Sequence, residues 1–208
     1  MSTLLAVSGS PSGTSRTAKV LHLVIRRLAA EGHRVRLVSV RDLPPAALLG
    51  SDPDHPAIAA VARCLAAADG VVIATPVYKA AYSGALKALL DLMPQRALAG
   101  KVVLPLATGG TLAHVLALDY ALRPVLAAMG ADHVVNGYFL HDRLLHDTDD
   151  GGVRIDESVR LAFDQVVDGF ITALRHRTPS VQPTTPANGT AQRVVVEVRT
   201  STASPTRM

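Results

Sequence analysis

The sequence predicts an α/β fold, a doubly wound five-stranded parallel sheet in the order 2-1-3-4-5 with helices on both faces. Three observations predict it. Apolar runs of strand length alternate five times with segments whose apolar residues recur at helical spacing, and right-handed crossovers turn that alternation into a sheet covered on both sides. The run Val71-Val72-Ile73-Ala74 is apolar without alternation, as in a central parallel strand. A loop of hydroxyls and small residues, Ser8-Gly9-Ser10-Pro11-Ser12-Gly13-Thr14-Ser15-Arg16-Thr17, follows the first strand, where such a sheet holds its ligand.

The first strand is Leu4-Leu5-Ala6-Val7, and after the hydroxyl loop Ala18, Leu21, Ile25 and Leu28 mark a helix that Glu31-Gly32 ends. Val35 to Val40 has the composition of a second strand, broken by Leu43-Pro44-Pro45. Gly50 to Pro56 reads as loop, and Ala57 to Ala68 as a helix with Ile58, Val61 and Leu65 on one face. The third strand runs into the loop Thr75 to Gly84, followed by a helix carrying Leu86, Leu89, Leu90 and Met93 that Pro94 stops. Lys101 to Ala107 is the fourth strand despite Pro105, and it enters Thr108-Gly109-Gly110-Thr111. A long helix from Leu112 to Met129, a fifth strand from Val134 to Leu140, a polar loop from Asp142 to Gly152 and a helix from Val159 to Leu174 complete the domain, residues 1–177. Residues 178–208 change to Pro, Thr, Ser and Gln, the composition of a disordered tail, within which Arg193 to Val198 has strand character.

With 208 residues, nearly half of them apolar, the chain can bury a full core. No apolar run reaches the roughly 18 residues of a membrane span, and the start lacks a signal-peptide pattern, so the expectation is a cytoplasmic protein. The net charge of +4 is spread along helices without a basic block, which disfavours nucleic acid and suits small anionic ligands. Cys64 is the only cysteine and reads as a small core residue. His55, His133, His141 and His146 lie beside Asp54, Asp132, Asp142 and Asp147 without metal-ligand spacing, so no metal site is expected and they read as solvated loop residues.

Strands one, three and four deliver three unusual loops to one edge. The hydroxyl loop opens a helix, so its amides and the guanidinium of Arg16 can meet a phosphate monoester; a plain N-cap is the competing reading. It lacks the Gly-x-Gly-x-x-Gly of dinucleotide folds and the Gly-Lys-Ser/Thr of NTPases. The second loop holds Tyr78, whose ring can face a flat heterocycle or pack in the core. The third, Thr108 to Thr111, is stripped of side chains and allows a planar ring to approach the backbone.

On these residues the chain resembles the NADPH-dependent FMN reductases, in particular the flavin reductases of two-component alkanesulfonate monooxygenases. The likeness covers about Leu4 to Leu140 and is most specific over Ala74 to Lys87 and Val103 to Thr111. It implies a flavodoxin-like fold, FMN and NADPH (with NADH as an alternative) as ligands, dimers or tetramers, and delivery of reduced flavin to a monooxygenase. It further implies that Ser10, Ser15, Arg16 and Thr17 hold the phosphate, that Pro76, Val77, Tyr78, Lys79 and Ala80 border the ring, and that Thr108, Gly109 and Gly110 meet its polar edge.

Individual residues keep two readings. Lys79 is a solvated charge or a partner for a nucleotide phosphate, and His114 is a packing histidine or a neighbour of the flavin. The helix Leu112 to Met129 is apolar on nearly every side, as expected of a subunit interface; within it Asp119 and Arg123 are spaced to pair, and Pro124 should bend the helix. Tyr120 resembles a tyrosine that accompanies a π-bulge at the subunit interface in this reductase subgroup, or is a plain interface residue. No acid, base or nucleophile stands out, as fits hydride transfer between two cofactors, so no catalytic side chain is expected. The competing functions are a quinone or azo-dye reductase that retains its FMN, and a non-enzymatic flavodoxin-type carrier.

Overall fold

The computed structural model describes residues 1–177; the tail and its candidate strand Arg193 to Val198 lie outside the described residues. In chain order the strands are β1 (Thr3–Ser8), β2 (Arg34–Ser39), β3 (Gly70–Tyr78), β4 (Ala81–Tyr82), β5 (Val102–Gly109), β6 (His133–Val134), β7 (Tyr138–His141), β8 (Leu145–Asp147) and β9 (Val153–Ile155). The α-helices are α1 (Arg16–Ala30), α2 (Pro45–Leu49), α3 (Pro56–Ala66), α4 (Gly84–Asp91), α5 (Arg123–Ala128) and α6 (Glu157–Arg175).

The sheet runs β2-β1-β3-β5-β6, parallel throughout, with β7 also pairing to β5 and β4 folding back antiparallel on β3. The doubly wound class and the order of its five positions match the expectation, but the sheet has seven strands. Alternation along the strands divides the core. Leu5, Val7, Val71 and Ile73 face α3 and α4, whereas Leu4, Ala6, Val72 and Ala74 face α1 and α6.

Several expectations are corrected. The fifth strand is two short pieces, because Pro105 has no N–H to give the ladder and the neighbouring chain has left it at Val135 to Gly137. Val135 N still donates to Val103 O at 3.0 Å, and pairing resumes at Leu106 opposite Tyr138. The predicted helix from Leu112 to Met129 is three segments, a 3₁₀ turn (Leu112–His114), a π-helical turn (Leu118–Leu122) and α5. Pro124 cannot donate to the carbonyl of Tyr120, and the chain absorbs the missing bond in the wider π turn. The expected Asp119–Arg123 pair forms at 3.1 Å. The polar loop 142–152 contains a 3₁₀ turn (Asp142–Leu144) and β8, which forms a hairpin with β9 just beyond it and covers the α1 face with Leu145, Val153 and Ile155. The break after β2 holds a 3₁₀ turn (Val40–Asp42) and α2. Cys64 is half-buried beside Arg36, whose Nη1 stands 3.5 Å from the sulfur.

Three of the loop histidines hold backbone or a partner rather than only water. His55 Nδ1 accepts from Ala57 N at 3.2 Å at the start of α3, and His141 Nδ1 accepts from Arg143 N at 3.0 Å. His146 Nε2 lies 3.0 Å from Asp156 Oδ2. No described helix is long and apolar enough to cross a membrane.

Asp156 caps α6. Its Oδ1 accepts from Ser158 Oγ at 2.6 Å and from Ser158 N at 3.0 Å. Those bonds, with a smaller contribution from His146, hold its carboxyl well below the usual carboxylate range. A carboxylate with a depressed folded-state pKa contributes stability that is complete above its unfolded value, near pH 4, and is lost as the pH falls through the range below. Thermal unfolding of the wild type and of Asp156→Asn from pH 7 to pH 3 should therefore show a gap between the two that is widest at neutral pH and narrows on acidification.

Candidate functional site

Among the described residues every buried polar side chain except Lys101 carries a hydroxyl, and all of these gather at the carboxyl ends of the strands: Ser8, Ser10, Ser15, Thr17, Thr75, Ser83 and Thr108. Most of them tie loop to loop. Gly9 N donates to Ala74 O at 2.7 Å, and Ser83 Oγ donates to Gly9 O in a short hydrogen bond. The same Ser83 Oγ accepts from Leu86 N at 3.1 Å and so caps α4. Thr75 Oγ1 accepts from Ser83 N at 3.0 Å and donates to Pro76 O at 2.9 Å. Thr17 and Thr108 share a buried hydroxyl–hydroxyl bond of 2.6 Å, which joins the hydroxyl loop to the end of β5. Gly9 is required by close approach, since a Cβ there would stand 3.0 Å from Leu86 Cβ.

The hydroxyl loop is ordered by its own side chains. Ser10 Oγ accepts from Ser12 N at 3.2 Å, and Ser12 Oγ accepts from Thr14 N at 3.3 Å. Ser15 Oγ accepts from Ala18 N at 3.1 Å, so the N-cap reading of this serine is correct. The cap still leaves the first-turn amides of Arg16 and Thr17 ahead of any intrahelical acceptor, pointing out of the helix toward the loop. Arg16 Nη1 donates to the backbone carbonyl of Asp142 at 3.2 Å, bridging α1 to the end of β7. Behind the loop, a Cβ at Gly13 would lie 3.2 Å from Arg41 Nη1, so a second guanidinium packs on its outer side.

Between the three loops lies a cleft of about 310 Å³. Of the residues singled out in the sequence, Ser10, Ser15, Arg16, Thr17, Pro76, Val77, Tyr78, Thr108, Gly109 and Gly110 line it. Lys79 and Ala80 do not. They form the two-residue turn between β3 and β4, with φ of 50° and 62°, and the reversal carries them past the cleft wall. Ser12, Thr14 and Asp142 also line it and were missed. Ser12 and Thr14 belong to the loop already identified. Asp142 had no local signal, because only the pairing of Gly109 with His141 brings it there.

Tyr78 is 48% exposed, which rules out its core reading. His114 stays outside the cleft lining, with its Nδ1 buried and without a hydrogen-bond partner among the described residues. The two glycines after Thr108 differ. A Cβ on Gly109 would meet the ring of Phe139 at 3.0 Å, so its bareness serves packing, whereas a Cβ on Gly110 would meet only Asp142 Oδ2, at 3.8 Å. Gly110 is therefore the more open of the two positions on the cleft wall.

The donor set suits a flavin mononucleotide. One end offers hydroxyls, first-turn amides and a guanidinium, the donors that a phosphate monoester accepts from; the other offers Pro76, Val77, the Tyr78 ring and a bare glycine backbone. Among the described residues no histidine, cysteine or lysine lines the cleft, and no group of three or more His, Cys, Asp or Glu side chains is placed to hold a metal ion.

A model of the NADPH-dependent FMN reductase family matches residues 2–144. The chain is similar to an FMN reductase (NADPH) of Escherichia coli, 42% identical over 178 residues that cover 86% of this chain and 93% of the relative. It is similar to an FMN reductase (NADPH) of Pseudomonas putida, 48% identical over 139 residues that cover 67% and 71% of the two chains. Among solved structures it resembles an NADH:FMN oxidoreductase (EMOB) in its apo form, with a TM-score of 0.76 and 41% identity over 88% of this chain and 92% of that one.

The Thr17–Thr108 bond gives a direct check on the joined loops. Removing one hydroxyl leaves the other buried without a partner, at a cost of about 1–3 kcal/mol. Thr108→Val should lower the melting temperature by several degrees, about 2–4 °C per kcal/mol for a domain of this size. The double variant Thr17→Val/Thr108→Val should recover part of that loss, as thermal unfolding of the three proteins will show.

Proposed function

The chain belongs to the NADPH-dependent FMN reductase family, a family of oxidoreductases, and from that premise we propose how its own residues serve the reaction and where the product goes. The single observation that carries the proposal is the convergence of the three loops on one cleft with donors at one end and a bare backbone at the other. When bound, FMN accepts a hydride from the nicotinamide of NADPH or NADH, chemistry that belongs to the two cofactors.

The loop Ser10, Ser15, Arg16 and Thr17 holds the phosphate. Its hydroxyls and first-turn amides donate to the monoester oxygens, and the Arg16 guanidinium adds a charge-assisted bond. Pro76, Val77 and Tyr78 border the ring on one side, and Thr108, Gly109 and Gly110 present backbone to its polar edge. Lys79 and Ala80 serve the ring site indirectly, by forming the turn that fixes Tyr78. Hydride transfer then needs only that the two rings lie face to face with water excluded, which is why no catalytic side chain is assigned.

The reduced flavin passes to a partner monooxygenase of a two-component, alkanesulfonate-type system. Among the described residues Tyr78 is the only aromatic side chain in the lining and is half-exposed, and the whole sequence has no tryptophan. A ring so lightly clamped exchanges. This separates the proposal from a quinone or azo-dye reductase that retains FMN and from a flavodoxin-type carrier. We place the reaction in the cytoplasm and the catalytic unit in residues 1–177.

The segment around the π turn supplies the oligomer. Leu112, Val115, Leu116 and Tyr120 expose a run of large apolar surface, with Tyr120 78% and Leu116 54% exposed. A patch of this kind is covered by a partner, here a second copy of the chain in a homodimer or homotetramer.

Two outcomes test these assignments. NADPH oxidation should rise with added FMN to saturation, and Arg16→Ala should raise the FMN concentration at half-saturation by about tenfold or more, the worth of one charge-assisted bond, while leaving riboflavin nearly unaffected. Leu116→Glu should shift the mass measured by light scattering to that of a smaller assembly or a monomer.

A further inference from the structure

Among the described residues Asp142 is the one side chain in the cleft lining that only accepts hydrogen bonds. Every other polar side chain there is a hydroxyl or the Arg16 guanidinium. The pairing of β7 with β5 sets it in place, since Gly109 stands opposite His141 and the chain turns at Asp142 into the 3₁₀ segment. Its Oδ2 lies 3.8 Å from where a Gly110 Cβ would be, and its backbone carbonyl accepts from Arg16 at 3.2 Å. The carboxylate itself has no hydrogen bond and no ion pair among the described residues. It therefore sits between Arg16 and Gly110, without a protein donor among the described residues.

An acceptor in that position matches the middle of the ligand. A flavin mononucleotide carries a phosphate at one end, a flat ring at the other, and between them a polyol whose hydroxyls need acceptors. In the hydroxyl loop Ser10 Oγ, Ser12 Oγ and Ser15 Oγ already accept from the amides of Ser12, Thr14 and Ala18, whereas the Asp142 carboxylate accepts from none among the described residues. We propose that the Asp142 carboxylate accepts from the hydroxyls of the ribityl chain and so makes the cleft specific for flavins that carry this chain. The proposal rests on the reading of the cleft as an FMN site.

The test is equilibrium binding to the full-length protein, followed by quenching of flavin fluorescence, with FMN, riboflavin and lumiflavin. Lumiflavin has a methyl group in place of the ribityl chain. Asp142→Ala should weaken FMN and riboflavin by the same factor, about tenfold, and leave lumiflavin unchanged. Asp142→Asn keeps the shape and an acceptor oxygen but loses the charge, so it should weaken the same two ligands by about threefold. Its near-isosteric side chain guards against a folding defect. Equal loss with lumiflavin would mean a damaged pocket and overturn the proposal. Tighter FMN with riboflavin unchanged would mean that the carboxylate only repels the phosphate, and would also overturn it, as would no change with any ligand. The site reading fails separately. Wild-type protein that binds FMN no more tightly than riboflavin contradicts the phosphate loop while leaving the role of Asp142 intact, and wild-type protein that binds none of the three overturns both.

Discussion

The buried hydroxyl pair Thr17–Thr108 is the constraint on which the site depends. It joins the first turn of α1 to the end of β5, residues 91 positions apart in the chain, across the carboxyl edge of the sheet. Both side chains are buried, so parting them leaves each hydroxyl without the partner it has here, at the cost of an unsatisfied polar group. Ser83 and Gly9 make the same kind of tie between the loops after β1 and β3, and Thr75 anchors Ser83 in turn. The cleft walls are thus fixed before any ligand arrives, and little of the binding energy goes into ordering them.

Among the described residues no histidine, cysteine or lysine lines the cleft, which is compatible with the hydride chemistry of the family to which the chain belongs. Where the bound cofactors hold the electrons, the protein's part is to set two rings at the right separation and keep water from between them. Among the described residues the cleft is lined by hydroxyls, the Arg16 guanidinium and the Asp142 carboxylate together with proline, valine, one half-exposed tyrosine and two glycines.

The parts of this architecture visible in the sequence are those written in contiguous residues. The unalternating run Val71 to Ala74 marks the central strand, the serine-rich run after Val7 marks the first loop, and Thr108-Gly109-Gly110 marks the third. What escaped notice depends on register. Asp142 enters the cleft through the pairing of β7 with β5, and no local pattern around it announces that. The break at Val135 to Gly137 is decided by Pro105 on the neighbouring strand. Lys79 and Ala80 lie in a stretch that reads as one continuous loop, yet they form the two-residue turn between β3 and β4 and are not among the residues that line the cleft. At Gly109 the missing Cβ also makes room for the ring of Phe139, a packing demand that depends on the neighbouring strand and has no local signal.

A crystal structure with FMN soaked in tests the convergence of the three loops most directly. It should place the monoester against Ser10, Ser15, Arg16 and Thr17, the polyol beside Asp142, and the ring between Tyr78 and the Thr108 to Gly110 backbone. Ligand density outside this cleft, or a cleft that must separate Thr17 from Thr108 to admit the flavin, would contradict the account.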